Sequence, residues 1–137
     1  MKLSTADRRQ QALDLLTQLA PGKARTLSAQ LDSFSSGFFD TIMGYAFTDV
    51  LSRPGLALRE REMITLAALI AMGNAPDQLE FHLQAALNIG ISQPEIIEIL
   101  LQMSVYAGIP ACLKGVAIAQ KVLATASHTT EAENVPE

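Results

Sequence analysis

Tryptophan is missing from this 137-residue sequence, cysteine and histidine occur once and twice, and charged residues reach only 18%, against about a quarter in ordinary globular chains. Each shortage excludes something. A lone thiol, Cys112, rules out an intrachain disulfide and a multi-thiolate metal site, so no metal is expected, and it suits a reducing, cytoplasmic setting. Basic residues number 10 against 14 acidic ones, for a net charge of −4. No basic stripe exists, so nucleic acid is not an expected partner. The opening MKLSTADRRQQ has no apolar core of the secretory kind. The apolar run MITLAALIAMG is too short to cross a bilayer, and no membrane partner is expected.

What is present is apolar and helical. Apolar residues make up 49%, and no stretch alternates with the two-residue period of a strand. The pattern predicts an all-α, single-domain fold of about six helices over residues 1–126, with a polar, disordered tail over 127–137. Punctuation supports it. Ser4 precedes Asp7 as an N-cap with an acid in the first turn, Pro54-Gly55 and Gly73-Asn74 break the chain, and Ser92-Gln-Pro-Glu95 reads as a capping box. The segment from Met63 to Met72 is apolar on nearly every side, which predicts a central helix surrounded by protein. With so little charge to cover the surface, part of it is expected to be covered by other copies of the chain.

One residue stands out. In DQLEFHLQAALNIG, from Asp77 to Gly90, His82 falls inside the apolar arc of the helix. Gln78 lies four residues earlier, within side-chain reach. Buried polar groups need partners. A ring satisfied by a carbonyl or by Gln78 makes His82 a core residue. A ring in a part-apolar pocket makes it a general acid or base, since neutral imidazole donates from one nitrogen and accepts at the other. The charged turn LREREM offers it partners, with Glu62 at the edge of the apolar run and Arg61 beside it. A carboxylate next to His82 makes a proton relay; an arginine makes an anion clamp.

Four segments in order, FTDVLSRPGL, REREMITLAALIAMG, HLQAALNIG and VYAGIPA, resemble the carboxymuconolactone decarboxylase family from about Phe38 to Leu123. The resemblance implies an AhpD-like helical bundle assembling into rings, as a trimer or hexamer. It implies one of two chemistries. Decarboxylases of this kind convert 4-carboxymuconolactone, in aromatic catabolism, with no cofactor. AhpD-type relatives are thiol peroxidases with a glutamate, a Cys-x-x-Cys pair and a histidine. His82 matches that histidine and Glu62 its glutamate, but the two cysteines fall on Ala75 and Gln78, so disulfide chemistry there is excluded. Against the decarboxylase pattern, Arg61, His82, Gly90 and the YAG-x-PA segment match. Leu51, Gln84, Ile89, Gln102 and Leu113 stand where that pattern carries other residues.

The expectation is therefore a carboxy-lyase acting on a small acidic or lactone substrate. His82, Glu62 and Arg61 are its candidate catalytic groups, and Tyr106 and Gln78 candidate substrate contacts. The alternatives are an AhpD-like antioxidant-family member and a non-catalytic oligomeric scaffold, both without thiol peroxidase activity.

Overall fold

The computed structural model describes residues 2–133, with side-chain surroundings defined up to Ser127. Among these the chain is helical and has no strand. The helices are α1 (Thr5–Leu19), α2 (Ala24–Phe34), α3 (Phe38–Met43), α4 (Leu58–Met72), α5 (Pro76–Asn88), α6 (Gln93–Tyr106) and α7 (Ile109–Glu133). The polar stretch from Ser127, expected to be disordered, continues α7 as far as Glu133. The last four residues of that expected tail lie outside the described residues.

The chain divides into two compact units, Met1–Arg61 and Glu62–Glu137, where the sequence suggests one domain. The division falls inside α4, so no linker composition marks it. In the first unit α3 passes directly into eight residues of π-helix, Gly44–Leu51. The wider turn is closed by the Ser52 amide, which donates to the Phe47 carbonyl at 2.9 Å. α1 packs on this segment and on α2 and α3. Arg9 joins Asp40 at 2.7 Å and Asp32 at 3.1 Å, with its guanidinium 5.0 Å from the Phe39 ring centre. Arg8 pairs with Asp49, and the Thr48 hydroxyl donates to the Arg8 carbonyl at 2.7 Å.

The second unit is built around Leu66, Ile70, Leu79, Leu83, Ile96 and Leu100. α7 packs across α5 and α6. Gly115 permits that approach: a Cβ there would meet Leu100 Cδ2 at 2.8 Å and Ile70 Cγ1 at 3.4 Å. α5 ends in a Schellman turn. Gly90 takes φ of 94°, and the Ile91 amide reaches back to the Ala86 carbonyl at 3.0 Å. Ser92 and Glu95 then form the full capping box that starts α6.

α4 departs from expectation. Glu62, Leu66 and Ile70, spaced by four, face inward, whereas Ile64 and Met72 are more than half exposed. The helix is buried along one stripe only, because the neighbouring helices of this unit cover one side of it. α6 and the start of α7 also present apolar residues outward: Ile97, Leu101, Val105, Ile109 and Leu113. The MITLAALIAMG run is the longest apolar stretch apparent in the sequence, yet among the described residues α7 is the helix that meets the length and composition of a membrane span, over Ile109–Ser127 at mean hydropathy 1.2. Its apolar residues are spread among alanines rather than run together, and two lysines, Lys114 and Lys121, interrupt them.

Candidate active site: the Glu62–His82 pair

α4 and α5 bring together two residues twenty positions apart in the chain. Glu62 begins the inward stripe of α4, and its side chain is 3% exposed. His82 lies on α5 about 60° round from Leu79, at the border of the buried face, taking about 100° per residue. His82 Nδ1 meets Glu62 Oε1 at 2.7 Å. The Phe81 ring stands edge-on to the imidazole at a centroid distance of 5.1 Å. About a sixth of the His82 side chain, 17%, stays accessible.

This geometry assigns roles to the two ring nitrogens. A buried carboxylate accepts hydrogen bonds and donates none, so with Glu62 ionised it is Nδ1 that carries the proton between them. Nε2 is then the nitrogen left to exchange a proton with a bound molecule. Glu62 also fixes the orientation of the ring through this contact. With the carboxylate ionised, a contact this short is a charge-assisted hydrogen bond.

The other candidates are placed differently. Gln78, expected to face inward beside His82, is exposed. The buried arc of α5 is centred on Leu79, Leu83 and Ala86, and Gln78 falls about 40° beyond His82 on the way out of it. Tyr106, at the last turn of α6, is 79% exposed. Arg61 lies in the first unit, where its Nη2 donates to the Arg53 carbonyl at 3.1 Å and ties the SRPGL turn to the start of α4. Arg53 itself lines a cleft of about 380 Å³ in that unit with Gln11, Gln18 and Ser52. Among the described residues no cluster of histidine, cysteine and carboxylates has metal-binding geometry. Cys112 is half-buried near the start of α7. Lys114, which the sequence does not single out, is a lone cation in the apolar first half of α7 and stands in the wall of a cleft. An isolated charge within an apolar helical run was the available signal.

The family model for the carboxymuconolactone decarboxylase family matches residues 36–121. The chain belongs to that family. It is 34% identical over 121 residues to 4-carboxymuconolactone decarboxylase of Acinetobacter baylyi, covering 88% of this chain and 90% of that one. It is also 33% identical over 84 residues to nitrosuccinic acid decarboxylase npaB of Metarhizium robertsii, covering 61% of this chain and 58% of that one. For a carboxymuconolactone decarboxylase family member, Ala75 and Gln78 in place of a Cys-x-x-Cys leave the first turn of α5 without a thiol. Glu62 and His82 are thus the titratable pair that α4 and α5 share.

Proposed function

We propose that this protein is a cofactor-free decarboxylase of a small acidic lactone, 4-carboxymuconolactone or a close analogue, with proton transfer through His82. The observation that carries the reading is the 2.7 Å contact of a half-buried imidazole with a buried carboxylate. The likeness over nearly the full length of a named decarboxylase supports it.

The chemistry asks little of the protein. When the carboxylate leaves as carbon dioxide, the C–C bonding pair moves into the conjugated carbonyl and gives a dienolate. His82, protonated at Nε2 and held by Glu62, stabilises the developing negative charge and then delivers its proton to carbon. Glu62 keeps the ring oriented through Nδ1 and balances the imidazolium charge. Arg61 is proposed as the clamp for the substrate carboxylate on its family match, and Tyr106 and Gln78 as polar contacts. The two exposed side chains would act from the rim of an assembled site. In this reading the outward apolar residues of α6 and α7 meet other copies in a homo-oligomeric ring, a trimer or hexamer, in the cytoplasm.

A related reading differs only in substrate. The partial likeness to a nitrosuccinic acid decarboxylase favours a site able to accept another small carboxylic acid. Carbon dioxide release from 4-carboxymuconolactone and from nitrosuccinate separates the two readings. His82→Gln should lower kcat by about 10²–10⁴, the usual worth of a positioned general acid, while the fold is retained. Parent-like turnover by a folded His82→Gln protein would remove the histidine from the mechanism. No turnover of either acid by the parent would leave the scaffold reading.

A further inference from the structure

A second feature lies in the Glu62–Glu137 unit, apart from the pair. A cleft of about 310 Å³ opens beside the C-terminal half of α4, the start of α5 and the first turns of α7, and neither Glu62 nor His82 lines it. Leu69, Ile70 and Leu79 supply apolar walls, and the small Ala75 stands at the start of α5 in the same lining. Lys114 is the charged side chain in the lining. Lys121, further along α7, is joined to Glu80 at 3.4 Å. Lys114 has neither an ion pair nor a hydrogen bond among the described residues. Asp77, in the nearby first turn of α5, does not line the cleft.

We propose that this cleft binds a monocarboxylic acid with an apolar body of about six to eight carbons. The body lies against Leu69, Ile70 and Leu79, and the carboxylate pairs with Lys114. The size follows from the volume: at ~30 Å³ per water the space equals about ten waters, enough for a compact acid. The charge follows from the lining. An amine is repelled by Lys114. A dicarboxylate would press its second charge against apolar wall with no partner, which is costly. A neutral alcohol gains the apolar contact but leaves the ammonium unused. The site stands whether or not His82 performs a decarboxylation.

Isothermal titration of the full chain with hexanoate tests this, with 1-hexanol, hexylamine and adipate as comparators. Hexanoate is expected to bind more tightly than all three. Lys114→Met should weaken it about fivefold, to the level of 1-hexanol, and Lys114→Arg should keep most of the affinity. The effect stays modest because Lys114 is exposed and an exposed ion pair is worth little. Added salt should weaken hexanoate and leave 1-hexanol unchanged. Ala75→Leu, confirmed as folded by circular dichroism, should fill the cleft and abolish both. Hexanoate binding that ignores Lys114→Met or Ala75→Leu overturns the proposal. So does an absence of binding, or a fall in solution mass on Ala75→Leu, which would assign the cleft to a second copy of the chain.

Discussion

Removing His82 should do more damage than removing both members of its pair. His82→Leu removes the bonding partner of a Glu62 side chain that is 3% exposed in the parent. Breaking a buried pair from one side costs ~3–5 kcal/mol. The 17% exposure of the His82 side chain lets water approach, so the lower end, about 3 kcal/mol, is expected. Glu62→Met instead strands an imidazole nitrogen at the edge of the buried face, at about 1–2 kcal/mol. If the losses were independent, the double variant would lose about 4–5 kcal/mol. With both polar groups replaced by apolar ones of similar size, it should come within about 1 kcal/mol of the parent. The coupling is therefore about 3 kcal/mol or more, and its sign is the point. For a chain of this length 3 kcal/mol corresponds to a Tm drop of about 10 °C. Urea unfolding followed at 222 nm, with the four proteins side by side, measures the cycle. A double variant as unstable as the sum of the singles would show that the two groups are separately solvated and that no buried hydrogen-bonded pair exists. The same double variant is a folded control for catalysis. It should be stable and inactive if the pair transfers a proton.

Other expectations rest on single contacts. Gly115→Ala gains about 1 kcal/mol of helix propensity, but its Cβ sits 2.8 Å from Leu100 Cδ2; overpacking costs ~1–3 kcal/mol, so a net loss of about 1 kcal/mol in urea unfolding is expected, and a clear gain would show that Leu100 yields freely. Ser92→Ala removes the side chain that caps α6 and should cost about 1 kcal/mol, read as a lower urea midpoint with an unchanged m-value. The Arg8 guanidinium, by hydrogen bond and charge, holds the Asp49 carboxyl below its usual range. Its share of stability is thus present above the ordinary aspartate pKa of ~4 and is lost as pH falls through the lower folded value. Asp49→Asn should lower the urea midpoint at pH 7, and the gap to the parent should close toward pH 2; a gap that widens in acid contradicts the pairing.

Helix starts and stops were legible because they are local. Ser4, Ser92-Glu95 and Gly90 act through their own turns, and the structure realises each of them. The π-helical stretch from Gly44 to Leu51 was not legible. Its wide turn exists where α1 packs against it, and periodicity cannot distinguish it from α-helix. His82 was visible as a polar residue on an apolar arc, and Glu62 as the charge nearest the apolar run. Gln78 lies outside the buried face because an apolar arc drawn from sequence is wider than the face that neighbouring helices actually cover. The same reason left Ile64 and Met72 on the surface of a helix expected to be enclosed.

By itself the sequence determined the helical class, most of the boundaries, the family and the thiol-free first turn of α5, because propensity, capping and register are properties of neighbours along the chain. Only the tertiary structure decided that Glu62 and His82 touch, that the division into compact units falls inside α4, and that Lys114 faces a cleft with no counter-charge. Those facts depend on how α4, α5 and α7 pack in space, and packing is set by the sum of many weak apolar contacts rather than by any residue's immediate neighbours.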